Sequence, residues 1–233
     1  MTGQANGPRI AHLWEGVVIV VSILLAFGID AWWGARQSRA AESEYLTQVR
    51  AELVQLRPEL VSSIEIHAGL AERGTALLGD LDTVPADSVL LWSNRVFVVG
   101  LSTYFRTGLI GAAGPETVAD ADLRDLLARW PGAYADFKEE EDAVAEVLRV
   151  LLQTVGSELD LSVVSRRPDS TMTSAVAQFL TRLPEVLAMP GVRSAIAVRR
   201  NREGVAARDA GRLLELTDDI VSAIDEYLAA PAR

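Results

Sequence analysis

WEGVVIVVSILLAFGIDAWW, residues 14–33, decides how the rest of the chain is read. The uncharged run at 16–29 spans only about 21 Å as a helix. A bilayer core is about 30 Å thick. Measured from Trp14 to Trp32, the helical rise becomes about 27 Å. Tryptophan favours the membrane–water interface, so Trp14, Trp32 and Trp33 are expected as interface anchors of a transmembrane helix. Glu15 and Asp30 then lie just inside the two rims. A mid-bilayer carboxylate costs about 2.5–3.5 kcal/mol and less towards the ends. At about 100° per residue, Glu15, Ser22, Ala26, Asp30 and Trp33 share one stripe. Small and polar residues on one face let a second helix approach closely and hydrogen-bond. This stripe is the expected packing face, towards a second copy or another membrane protein subunit. The plainer alternative is that the two acids only position the ends of a lone helix.

A cleaved secretory signal is the competing reading. AFG at 26–28 resembles a cleavage site, but Arg9 and the terminal amine are offset by Glu15. Two tryptophans soon after such a site also argue against cleavage.

The whole chain has 233 residues and a net charge of −10, enough for an anchor plus one domain with a substantial core. It contains no cysteine, which excludes thiolate zinc, iron–sulfur clusters and thiol catalysis. Nucleic-acid binding needs a basic face, and none dominates. The locally basic VRRNR at 198–202 is read as a solvated helix face.

Residues 15–53 resemble the N-terminus of a bacterial family of uncharacterised single-pass membrane proteins, filed under a domain of unknown function. The resemblance rests on Glu15, the apolar run, Ile29, Asp30, Trp32 and Arg36, then Glu44, Tyr45, Leu46, Glu52 and Leu53. A second patch, TYFRTGLIGAAGPETVADADLRDLLARW, is similar to that family's helix, glycine break and helix. The resemblance implies the bacterial inner membrane and, from the family's basic N-terminal tail, a periplasmic C-terminal domain. The tail here is less basic. Counting Arg9 and the amine against Arg36 and Arg39 leans slightly the other way. The family brings no activity or cofactor with it.

Beyond the anchor, residues 37–81 read as one long helix. Leu46, Val49, Leu53, Leu56 and Leu60 step by three and four, the seam of a coiled coil or bundle. Pro58 falls inside it and predicts a kink or break near it. VFVVGL at 96–101 has strand composition, but no second such run exists to pair with it, so a buried helix over 89–104 is expected. A break follows at 108–115, then helix over 119–159 bent at Trp130 and Pro131. SRRPDST is a linker, and helices are expected at 173–188 and 191–229. Leu213, Leu216, Ile220, Ile224 and Leu228 form an apolar stripe on the last. The fold expected is all-α: an N-terminal transmembrane helix followed by an antiparallel helical bundle. Its organisation is a tail at 1–13, a span at 14–34, a bundle core at 37–164, a linker at 165–172 and packed C-terminal helices at 173–233.

Motifs for chemistry are scarce. GLIGAAG lacks the glycine spacing and preceding strand of a dinucleotide site. KEEED at 138–142 is a charge run whose members point different ways, most of them to water. Metal binding in a bundle wants converging pairs such as Glu-x-x-His, which neither His12 nor His67 provides. His67 alone reads as a packed or exposed helix residue. No G-x-S-x-G elbow accompanies the serines. The expectation is a non-enzymatic, cofactor-free accessory subunit whose partners are the lipid bilayer and another membrane chain. The alternative is a sensor domain binding a ligand near Trp92, Tyr104 and Trp130.

Overall fold

The computed structural model describes the backbone of residues 8–81, 84–98, 108, 110, 117–165 and 173–230. Side chains are described within these from residue 18 on, except at 165 and 173. The described residues are all helical, with no strand, in six helices. These are α1 (Pro8–Leu77), α2 (Ala86–Phe97), α3 (Ala121–Gly156), α4 (Ser162–Ser165), α5 (Thr173–Ala188) and α6 (Pro190–Ala229). The chain divides into two compact units, one ending at Gln48 and one beginning at Val49.

In the first unit, α1 presents Val18, Ile19, Val20, Val21, Ile23, Leu24, Leu25, Phe27 and Ile29 to the exterior, each half or more exposed. None of its most apolar window is buried inside the protein. This helix is long and apolar enough to cross a membrane.

The second unit is built on seams stepping by three and four. On α6 the buried positions are Val192, Ile196, Arg199, Glu203, Ala206, Ala210, Leu213, Leu216, Thr217, Ile220 and Ile224. On α3 they include Leu123, Leu127, Trp130, Phe137, Glu141, Val144, Leu148, Leu151 and Val155. Such a repeat keeps one stripe facing its neighbours along the whole helix. On α1, Val49, Leu53, Leu56 and Leu60 are buried as their spacing requires, and the seam continues through Ser63, His67 and Leu70 to Leu77. On the predicted α6 stripe Leu228 is the exception, at 36% exposure.

Cross-helix pairs fix the directions. Arg50 bonds Asp225, Arg57 bonds Asp218 and His67 bonds Glu203, so this part of α1 runs antiparallel to α6. Arg202 bonds Glu140 and the Trp130 indole donates to Thr217, so α3 also runs antiparallel to α6. Gly74 lets α1 and α6 approach, since a Cβ there would lie 3.1 Å from the Cβ of Arg200. A second apolar cluster joins α2, α4 and α5 to the ends of α1, α3 and α6 through Phe97, Leu151, Phe179, Leu183 and Ile196.

Several boundaries differ from expectation. α1 continues through Pro58 and α3 through Pro131. Both prolines lie on exposed sides, where water can hydrate the carbonyl that loses its partner. α2 starts earlier than expected and ends at Phe97, with Val96 and Phe97 buried in helix as anticipated. Most of the expected break at 108–115 and of the 165–172 linker lies outside the described residues. α3 begins after Asp120, whose carboxylate accepts from the Leu123 amide at 2.9 Å. α5 matches its expected bounds, and α6 starts one residue early with proline in its first turn.

Replacing fully buried Leu53 by alanine should cost about 2–5 kcal/mol in chemical denaturation. Replacing exposed Arg57 by alanine should leave the transition nearly where it was. Equal losses in the two variants would contradict this packing.

Candidate functional site

Four of the seam positions just described are charged or polar and stand at one level of the second unit. His67 is fully buried, and Glu141, Glu203 and Arg199 are at most 2% exposed. Their contacts form one chain. Lys138 Nζ lies 2.7 Å from Glu141 Oε2, and Glu141 Oε1 lies 3.5 Å from His67 Nε2. On the other side of the ring, His67 Nδ1 lies 2.6 Å from Glu203 Oε2. Glu203 Oε1 accepts from Arg199 Nε at 3.1 Å, and the Arg199 guanidinium also donates to the Val96 carbonyl on α2. The chain thus crosses α3, α1, α6 and α2. Phe137 meets the imidazole edge-on, with centroids 6.2 Å apart.

A neutral imidazole carries one N–H and can donate to only one carboxylate. Glu203 is within hydrogen-bond reach of Nδ1, while Glu141 faces Nε2 at 3.5 Å, too far for a good hydrogen bond, so the pair of carboxylates favours an imidazolium largely through charge. Burial pulls its pKa down, but the hydrogen bonds and charges of Glu141 and Glu203 outweigh burial and raise it from 6.5 to about 9. Burial lowers Arg199 from its ordinary value while Glu203 opposes the shift. Lys138 is also held down by burial, and Glu141 more than restores it, so its pKa is raised. Three cations therefore surround two carboxylates, without the isolated buried charge that would be most costly.

This arrangement suits structure better than proton transfer. A general base works best with a pKa near the operating pH, and His67 is well above neutrality with both nitrogens engaged by carboxylates. Among the described residues no group of side chains is arranged to hold a metal ion.

Two expectations are corrected here. VRRNR is not wholly a solvated face, because Arg199 is buried in the chain of charges. KEEED is not mainly a solvent-facing run: Glu141 is buried, Lys138 is half-buried against it, and Glu140 pairs with Arg202. His67 is packed, one of the two readings its sequence context allowed. The signal for all three was seam spacing: Ser63 and His67 continue the three–four stepping of Leu53, Leu56 and Leu60.

The expected membrane-face residues lie elsewhere. Ser22, Ala26, Asp30 and Trp33 are exposed on α1, and the Ser22 hydroxyl donates to the Val18 carbonyl at 2.8 Å. Trp14 and Glu15 belong to α1, but their side chains lie outside the described residues. Trp32 and Trp33 are exposed with ring centroids 6.2 Å apart. Of the expected ligand-site aromatics, Trp130 is buried, bonded to Thr217 and stacked on Tyr134. Trp92 is half-buried, and Tyr104 lies outside the described residues.

The raised pKa of His67 makes stability depend on pH with a definite sign. Its contribution is complete below about 6.5 and is lost as pH rises through about 9. The melting temperature of the full chain in mild detergent should fall across that interval, and the fall should shrink in His67→Gln. Glu203→Ala removes the carboxylate partner of Arg199 and leaves the ring with Glu141 alone, and should destabilise by about 3–5 kcal/mol at neutral pH. A wild-type melting temperature flat from pH 6 to 10 would refute the imidazolium.

Comparison of the chain with protein-family models, curated proteins and solved structures gave no match in any of the three.

Proposed function

We propose that this chain is a single-pass membrane protein whose helical domain is an antiparallel bundle. Its role is that of a non-enzymatic accessory subunit that associates through its transmembrane helix. The observation that carries the reading is the apolar stretch of α1 ending at Trp33, exposed with none of its most apolar window buried. Water-soluble proteins rarely expose a contiguous apolar surface of that extent. Removing each large apolar side chain from water is worth about 1.5–3 kcal/mol. Nine such side chains between Val18 and Ile29 sum to tens of kcal/mol, far more than the about 2.5–3.5 kcal/mol cost of Asp30 even at mid-bilayer. A helix also satisfies its backbone internally, as a bilayer demands.

The Glu15, Ser22, Ala26 and Asp30 stripe supports association, because carboxylates near the rim gain from a hydrogen-bonding neighbour. The resemblance of residues 15–53 to bacterial single-pass proteins supports the inner membrane, with the bundle on the periplasmic side. The partner is a second copy or another membrane subunit.

Gentle extraction of the tagged full chain from native membranes should bring down a stoichiometric partner or a homo-oligomer. Ser22→Leu and the Glu15→Ala/Asp30→Ala double variant should both lose it while remaining in the membrane fraction. A chain that is monomeric and partner-free, and unchanged in both variants, would refute the accessory-subunit reading.

A further inference from the structure

We infer that a second face of the same helix binds an anionic glycerophospholipid, with an acyl chain along a groove at Gly28 and the phosphate on Arg36 and Arg39. This rests on the membrane reading above and deepens it.

A shallow groove runs along α1, lined by Val21, Leu24, Leu25, Gly28, Ile29 and Trp32. Gly28 forms its floor, and a Cβ placed there would meet nothing within 4 Å. The lining is almost wholly apolar, which suits hydrocarbon. At about 100° per residue, Trp32, Arg36 and Arg39 fall within about 60° of one another and on the groove side. The Ser22, Ala26 and Asp30 stripe lies about a third of a turn away. The two faces therefore do not compete for one occupant.

The upper end of the groove carries the matching charge. Between Asp30 and Glu42 the only ionisable side chains are Arg36 and Arg39, and both are exposed. The Arg36 guanidinium sits over the Trp32 ring, 5.8 Å from its centroid. This cation–π contact with the ring leaves the guanidinium N–H groups to donate to a phosphate in the bidentate geometry arginine favours. Arg36 stands about 12 Å along the helix from Gly28, so tail and headgroup are met at different depths. The same arginines disfavour a parallel second copy in this groove, since like charges would be set against each other at its end.

The test uses the full chain reconstituted into vesicles of phosphatidylcholine mixed with phosphatidylglycerol. After gentle re-extraction, retained lipids are counted by native mass spectrometry. Wild type should retain phosphatidylglycerol well above its share of the mixture. Arg36→Gln/Arg39→Gln should lose that preference, by about fivefold for each arginine. Gly28→Leu, which fills the groove and leaves both charges, should retain less lipid of either kind. Retention that follows the mixing ratio in wild type overturns the proposal, as does a phosphatidylglycerol preference untouched by Gly28→Leu, which would reduce it to surface charge. A lipid-free dimer cross-linked through the groove face would assign the groove to a second copy and overturn it too. Failure to float with any vesicle would overturn the membrane reading and this site together. Flotation without selective retention overturns only the lipid site.

Discussion

The apolar surface of α1 is distributed in two different ways along its length, and the packing of the domain follows from the second. In its second half the buried apolar residues follow one seam from Val49 to Leu77, packed with α3 and α6. Among the described residues of its first half, the apolar side chains from Val18 to Trp33 stand exposed, and none of the most apolar window is buried inside the protein. A stripe can be buried by neighbouring helices; a fully apolar cylinder needs a surrounding medium. The difference between a three–four stepping pattern and an unbroken apolar run is thus the difference between a helix that packs into a domain and one long and apolar enough to cross a membrane.

Within the domain, the chain of charges from Lys138 to Val96 does what apolar seams do poorly. Leucine seams tolerate sliding, because one apolar residue replaces another at modest cost. An imidazolium between two carboxylates has no substitute contact if a helix shifts by one turn. His67, Glu141 and Glu203 come from three different helices, and Arg199 reaches a fourth. Buried ion pairs of this kind add little net stability over apolar packing, while breaking one is expensive. The physical consequence is a defined register among α1, α2, α3 and α6.

Much of this was legible in the sequence, and the failures have identifiable causes. The helical class, the bounds of α5, most of α6 and the α1 seam follow from stepping patterns that are local to each helix. Pro58 does not break α1, and local rules do not say which side of a helix faces water, where a lost hydrogen bond costs least. Glu141 and Arg199 were misjudged because a charged residue in a charge run looks solvated until its partner on another helix is known. Extending the seam from Leu60 by three and then four residues reaches Ser63 and His67, and the same stepping on α6 passes through Arg199 and Glu203. The spacing carries that information, but apolar character alone does not mark a seam where its positions are polar. The Ser22, Ala26, Asp30 and Trp33 stripe shows a different limit: its spacing is visible in one helix, and these residues stand exposed on α1.

The central claim is that the first half of α1 lies in a bilayer, and the chain offers a direct way to test it because it contains no cysteine. Single cysteines at Leu25, within the apolar run, and at Ser62, on the exposed side of the same helix, can be probed in intact membranes with a water-soluble maleimide. The account predicts that Ser62→Cys reacts once its side of the membrane is opened to the reagent. Leu25→Cys should resist the reagent from both sides until detergent dissolves the bilayer. Equal and rapid labelling of both positions before detergent would place the apolar helix in water and contradict the account.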